Sequence, residues 1–185
     1  MKRILIVGSG DVARRALPWL VRRFRVFALV RQPEAAAELR ALGAVPVAGD
    51  LDDRRSLRRL AGIADAVLHF APPPQTGEGD PRMARLLAAL AGRSSLPQGV
   101  VYISTTGVYG DCGGAEIDET RRCRPENARA RRRVDAEQAL RRWGAASGVS
   151  VSILRAPGIY AADRLPLERL QKGTPALVDR DDVYT

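Results

Sequence analysis

The run Ile4-Leu5-Ile6-Val7, followed at once by Gly8-Ser9-Gly10-Asp11-Val12-Ala13, constrains the fold of this chain more than any other stretch. A short apolar, β-branched run of this kind fits a buried parallel strand. The glycines make the pattern G-x-G-x-x-A directly after it. From Asp11 to Arg23 the apolar residues Val12, Ala16, Trp19 and Leu20 recur at helical spacing, and Val26 to Val30 reads as a second buried strand. Strand, glycine turn, helix and strand in this order form the setting in which a dinucleotide-binding fingerprint has physical meaning.

Each small residue has a local reason. Gly8 permits the tight turn out of the strand, Gly10 leaves room for a pyrophosphate against the backbone, and Ala13 lets helix lie against strand. The unsatisfied N–H groups at the helix start then face the phosphates. Gly8, Ser9, Gly10, Asp11 and Val12 are therefore the candidate cofactor-binding residues at this turn. The acidic residue that would take the ribose 2′-hydroxyl is missing where the second strand ends, and Arg31 stands there. A guanidinium at that point suits the 2′-phosphate of NADP, so NADP is expected in preference to NAD. The plainer alternative for Arg31 is one solvated arginine among many.

Downstream, Pro33 opens a second helix with Ala35, Leu39 and Leu42 on one face until Gly43, and Ala44 to Ala48 is a third strand. The strand runs into Gly49-Asp50-Leu51, where Asp50 and Leu51 are placed to meet an adenine; a turn or cap role is the alternative for Asp50. Ser56 to Leu60 reads as a short helix. Ala66 to Ala71 is a fourth strand, ending in Pro72-Pro73-Pro74, which cannot continue a ladder and must leave the sheet as an extended loop over the cofactor. Phe70, Ala71 and Pro72 join the candidate cofactor contacts. His69 is the single histidine, read as a satisfied core side chain, with catalysis the alternative.

A helix from Arg82 to Leu90, a fifth strand from Val100 to Ser104, a helix from Asn127 to Ser147 with Val134, Ala139 and Leu140 inward and its arginines outward, and a sixth strand from Val149 to Leu154 complete the alternation. A short helix is expected at Leu165 to Gln171. The fold class is therefore α/β, a doubly wound parallel sheet of the Rossmann type with about six or seven strands. At 185 residues the chain accommodates one such domain, expected over residues 1–160.

Composition removes several classes. The net charge of +9 suggests nucleic acid, but the basic residues are almost all arginine and the densest cluster, Arg121 to Arg142, lacks interleaved aromatics, so no nucleic-acid partner is expected. No apolar run approaches the roughly 18 residues of a membrane span, and no signal peptide opens the chain. Cytoplasmic residence is the expectation. Cys112 and Cys123 lack metal-ligand spacing and read as free thiols, with no metal site.

At the tip of the fifth strand, Ser104-Thr105-Thr106-Gly107-Val108-Tyr109-Gly110 matches S-[ST]-x-x-V-Y-G. With Gly8-x-Gly10-x-x-Ala13, Glu119, Pro125, Glu137 and the segment Leu154 to Tyr160, the chain resembles the extended short-chain dehydrogenase/reductase superfamily of NAD(P)-dependent epimerases, dehydratases and reductases. The resemblance implies that Thr105 hydrogen-bonds the reacting carbonyl or alcohol, and that a Tyr with a Lys one helical turn later supplies the proton. Counting back along that motif from Glu137 places Arg133 in the lysine slot and Arg129 in the tyrosine slot. A guanidinium stays protonated and cannot exchange a proton usefully. Arg133 is left as a candidate contact to cofactor ribose or phosphate, and Tyr109 as a substitute acid or as a loop or pocket residue.

The resemblance thus implies an NAD(P)-dependent oxidoreductase or epimerase-like protein without the usual Tyr-Lys relay, acting on a small, sugar-like or anionic substrate. A non-catalytic NADP-binding sensor or interaction module is the alternative. Arg155 and Tyr160 are candidate pocket residues, with a surface ion pair the other reading of Arg155. The resemblance also makes a homodimer through the helices near Arg82 and Asn127 a candidate assembly, and residues 161–185 are expected to begin an incomplete substrate lobe of a truncated chain.

Overall fold

Strand β1 (Arg3–Val7) explains the two-sided core, because its successive side chains point to opposite faces of the sheet. The structure is a computed structural model and describes residues 1–92, 95–163, 165, 167 and 171. Leu5 and Val7 join the apolar cluster that includes Met83, Leu86 and Leu140, while Ile4 and Ile6 join the one that includes Ala13, Leu17 and Leu39. All four strand residues are buried. A strand buried on both faces reads as a continuous apolar run rather than an alternating one.

The elements follow as α1 (Asp11–Leu20), β2 (Arg25–Val30), α2 (Glu34–Ala41), β3 (Val45–Ala48), a 3₁₀ turn (Ser56–Leu60), β4 (Ala66–His69), α3 (Pro81–Leu90), β5 (Gly99–Thr105), a second 3₁₀ turn (Thr106–Tyr109), α4 (Ala128–Ser147) and β6 (Ser150–Ala156). The described sheet has 6 strands in the order β3-β2-β1-β4-β5-β6, and every pair is parallel. The order reverses between β1 and β4. Val7 pairs with Leu29 on one side and with His69 on the other, which puts the reversal at the carboxyl ends of these strands. That is where a doubly wound sheet opens a crevice.

Caps and turns account for several boundaries. Asp80 accepts from the Arg82 and Met83 N–H groups at 3.0 and 3.2 Å and starts α3 just ahead of Pro81. Asn127 accepts from Ala130 N at 2.9 Å at the head of α4, and Gly148, left-handed at φ 73°, ends it. No helix among the described residues is long and apolar enough to cross a membrane.

Several helix faces differ from the sequence expectation. Helix α1 stops at Leu20, not Arg23, and buries Ala13, Leu17 and Leu20, whereas Val12 and Ala16 are half-buried and Trp19 is exposed, with the Arg23 guanidinium 4.4 Å from its ring centroid. The apolar stripe is rotated because fully buried Ala13 seats the helix in the cluster that holds Ile4, Ile6 and Leu17. Helix α2 buries Ala36 with Leu39, while Ala35 is half-buried. The largest difference is in α4, where Arg132, Arg133 and Glu137 are buried while Val134 and Ala139 are only partly so. Polar groups from β5, β6 and the loop at Gly77 give those charges partners, and apolar periodicity cannot register that. The fourth strand ends at His69 because the N–H groups of Phe70 and Ala71 both turn onto the Val7 carbonyl, at 2.7 and 3.0 Å. Most of the stretch expected as a helix at Leu165 to Gln171, and most of residues 161–185, lie outside the described residues. Cys112 and Cys123 are free.

Candidate functional site

The crevice at the reversal point is built by close approach of backbone. Gly8 has φ 96°, and a Cβ there would stand 2.3 Å from Ala71 N and 2.6 Å from Ala71 Cα. Only glycine allows the ends of β1 and β4 to meet in this way. Around Gly10, by contrast, nothing lies within 4 Å of a built Cβ, so this side of the turn is open. Helix α1 begins there without a side-chain cap, and its first backbone bond runs from Arg14 N to Gly10 O at 3.0 Å. No side chain of the N-cap residue covers the first turn, whose N–H groups face the end of β1.

The opposite wall comes from the end of β3. Gly49 passes so close to Leu29 that a Cβ would meet its side chain at 2.8 Å, and Gly49 N bonds Val30 O at 2.9 Å. Asp50 N donates to Ser56 Oγ at 2.8 Å, and Asp50 Oδ1 accepts from Asp52 N at 2.9 Å. The turn role of Asp50 is therefore realised, and the residue also faces the crevice. Arg82 clamps Asp52 with Nε and Nη2 at 3.0 and 2.5 Å, and Arg85 reaches the Leu51 carbonyl at 3.2 Å. Its hydrogen bond with Arg82 is the main reason the Asp52 carboxyl is held below the usual carboxylate range.

The resulting cleft has a volume of about 1040 Å³. It brings together Gly8, Ser9, Arg31, Asp50, Leu51, Ala71 and Pro72 from the sequence candidates. Gly10, Asp11 and Val12 form the entry to α1 beside it, where the Asp11 carboxylate takes Arg15 Nε at 3.0 and 3.1 Å. Phe70 packs instead against the apolar cluster of β1, β2 and α1.

Arg129 and Arg132 also line the cleft, and Arg133 is not among its lining residues. Arg133 is 7% exposed, and its Nη1 donates to Tyr102 Oη at 2.9 Å and to the Ile103 carbonyl at 2.7 Å. Sequence reasoning passed over Arg132, whose Nη1 donates to the Gly77 carbonyl at 2.7 Å beneath the extended loop. The signal lay in the phase of α4: one residue's step along a helix turns the side chain by about 100°, enough to exchange core for cleft.

Thr105 and Tyr109 sit at the tip of β5. Thr105 Oγ1 accepts from Gly107 N at 3.2 Å and caps the 3₁₀ turn, leaving its O–H able to donate. Tyr109 is 5% exposed, lines a separate hollow of about 490 Å³ beside β6, and its hydroxyl accepts from Arg155 Nη1 at 2.7 Å. Arg155 is no surface residue: it forks onto buried Glu137 with Nη2 at 2.7 Å and Nε at 3.2 Å. Glu137 in turn accepts from Ser104 Oγ at 2.5 Å. This chain of contacts ties the tip of β5 to α4 and β6. His69 is buried but unsatisfied, since neither ring nitrogen has a hydrogen-bond partner among the described residues. Burial first, and then the charge of Arg133, lower its pKa to about 3, while burial raises the Tyr102 phenol to about 12.

A family model described as NAD(P)H-binding matches residues 8–184. The chain belongs to this NAD(P)H-binding family. The chain is 33% identical over 118 residues to a 4-hydroxy-2-methyl-3-oxo-4-farnesyl-3,4-dihydroquinoline-1-oxide ketoreductase of Stigmatella aurantiaca, a match covering 60% of this chain and 35% of that protein. A functionally unknown conserved protein from Silicibacter pomeroyi superposes with TM-score 0.72 at 33% identity, over 94% of this chain and 58% of the other. An epimerase candidate from Burkholderia cenocepacia J2315 gives 0.75 at 26% identity, over 91% and 59%. The chain thus spans about a third of the length of the curated relative and under two thirds of these structures. The Rossmann-type sheet read from the sequence, and its resemblance to NAD-dependent epimerases and dehydratases, agree with these matches.

The residues present fit a bound NAD(P)(H). The open side of Gly10 and the uncapped start of α1 would hold the pyrophosphate, with Asp50 and Leu51 beside the adenine.

Proposed function

We propose that this chain binds NADPH in the cleft at the reversal point and serves a carbonyl-reducing or epimerising protein of the extended short-chain type. The observation that supports it best is the cleft itself: it collects the glycine turn, Arg31, Asp50 and the Ala71-Pro72 loop around one volume. The ketoreductase relative favours carbonyl reduction, and the substrate class is a small ketone or sugar-like molecule. When bound, the cofactor supplies or accepts a hydride.

This chain's residues then have separable tasks. Thr105 donates its hydroxyl proton in a hydrogen bond to the substrate oxygen, freed for this by accepting from Gly107. Arg129, on the cleft wall, adds a fixed positive charge beside the anionic cofactor and gives up no proton. The proton itself comes from solvent, because Tyr109 is engaged with Arg155 and lines a different hollow. Arg133 stands behind β5 and holds Tyr102. That placement favours a second reading, a module that keeps the cofactor and performs no turnover.

Titration of NADPH and NADH by nicotinamide fluorescence tests the binding claim. NADPH should bind at least about tenfold more tightly, and Arg31→Ala should remove most of the difference; equal affinities would refute the NADPH assignment. Consumption of NADPH with a panel of ketones and nucleotide sugars, lost in Thr105→Ala, separates the two readings. Firm binding with no turnover on any of them selects the non-catalytic module.

A further inference from the structure

The loop that leaves β4 runs along the cleft to α3, and Pro72, Pro73, Pro74, Gln75 and Thr76 all line it. Its two ends are fixed by the core. Ala71 N bonds the Val7 carbonyl at 3.0 Å, and buried Asp80 caps α3. Between these ends Gln75, Thr76, Gly77 and Glu78 are exposed, and among the described residues 72–79 make no backbone–backbone hydrogen bond. Neither burial nor a ladder therefore holds residues 75–78 beside the cleft.

Helix α4 holds them instead. Arg131 pairs with Glu78, Arg132 Nη1 donates to the Gly77 carbonyl at 2.7 Å, and Asp135 Oδ2 accepts from Asp80 N at 2.7 Å. These fastenings are unequal. The Arg131 and Glu78 side chains are 43% and 72% exposed, and a pair so open to water contributes little. The Asp135 bond lies at the end that the α3 cap already fixes, where a Cβ on Gly79 would stand 2.9 Å from Asp135 Oδ2. Arg132 meets the middle of the loop from a buried position, at 7% exposure, and lines the same cleft. A hydrogen bond from a desolvated, charged donor is stronger than one between neutral groups in water. Its acceptor belongs to Gly77, whose φ of 83° is in the left-handed region that favours glycine, so the fastening is made at the turn of the loop.

We infer that Arg132 is a positioning residue: through the Gly77 carbonyl it straps the loop of residues 72–80 against the cleft, and so sets how long a bound dinucleotide stays. The inference rests on the NADPH reading for the occupant. The strap itself belongs to the chain without cofactor.

Two measurements on the native chain, Arg132→Met, Arg132→Lys and Arg131→Gln test it. Cleavage after Glu78 by a glutamate-specific protease, resolved by mass spectrometry, reads the loop. Stopped-flow displacement of NADPH by excess ADP-ribose, followed by nicotinamide fluorescence, reads residence. Arg132→Met should speed both cleavage after Glu78 and NADPH release at least about tenfold, with cleavage after exposed Glu116 in another loop unchanged. Arg132→Lys, which keeps a donor, should recover part of both, and Arg131→Gln should change release by less than about twofold. Where Arg132→Met unfolds the chain by circular dichroism, the shorter Arg132→Gln gives the same comparison. Unchanged cleavage in the Arg132 variants overturns the inference. So does release that follows charge rather than the loop, native in Arg132→Lys while its loop is cut as fast as in Arg132→Met. Either result leaves the NADPH reading standing, whereas a native chain that binds no NADPH overturns both.

Discussion

The pH dependence of stability should be governed by one buried ring. His69 is 1% exposed, meets Tyr102 edge-on with ring centroids 5.1 Å apart, and is the single histidine of the chain. Burial and then the Arg133 charge lower its pKa from 6.5 to about 3. The unfolded chain therefore takes up a proton near pH 6.5 that the folded chain refuses until about 3. Throughout that window the unfolded state binds more protons, so the stability is fully present above 6.5 and is lost as pH falls toward 3. The slope approaches about 1.4 kcal/mol per pH unit, which amounts to about 2 kcal/mol between pH 7 and pH 5. Asp52 and Asp65, whose pKa values are lowered, release their contributions around and below their ordinary 3.8, outside this interval. Urea denaturation at pH 7 and pH 5 should show the native chain losing about 2 kcal/mol and His69→Leu losing almost nothing. Parallel losses in the two proteins would refute the assignment to His69.

The Arg155–Glu137 pair has side-chain exposures of 11% and 3%, so removing either partner strands a buried charge. Arg155→Met should cost about 3 to 5 kcal/mol in urea denaturation, and the double variant Glu137→Leu/Arg155→Met should recover most of it; a mild single-variant effect would show that water reaches the pair. Gly8→Ala places a Cβ 2.3 Å from Ala71 N at φ 96° and should cost on the order of 3 kcal/mol, together with loss of NADPH binding. A stable Gly8→Ala chain would mean that the ends of β1 and β4 part easily.

What could be read from the sequence was what depends on local pattern. The strand before Gly8, the short helix at Ser56 to Leu60 and the strand–helix alternation follow from apolar runs punctuated by glycine and proline, and these set backbone conformation directly. The face of α4 could not be read in the same way. Its inward residues include Arg132, Arg133 and Glu137, stabilised by Gly77 O, Tyr102 Oη, Ser104 Oγ and Arg155 from segments far away in sequence. His69 was legible as buried, but whether it had a partner depended on its surroundings. Candidates that belong to backbone turns, Gly8, Asp50 and Ala71, line the cleft, whereas Arg133, a long side chain with a choice of partners, bonds β5 instead.

The position of Arg133 also explains how a cofactor cleft can persist beside altered chemistry. Residues one turn apart on a helix share a face, so Arg133 and Glu137 both point toward β5. At that register the guanidinium bonds Tyr102 Oη and the Ile103 carbonyl within β5 and contributes to the same polar layer as Ser104, Glu137 and Arg155. Arg132, one step further round, takes the cleft wall with Arg129. The helix thus supplies positive charge to the cleft from a different angle than the lysine slot would, and supplies no group able to cycle a proton there. Affinity for an anionic dinucleotide and capacity for proton transfer are consequently separate properties of this helix. Binding measurements alone therefore cannot distinguish a reductase from a cofactor-holding module, and turnover with its dependence on Thr105 is the observation that does.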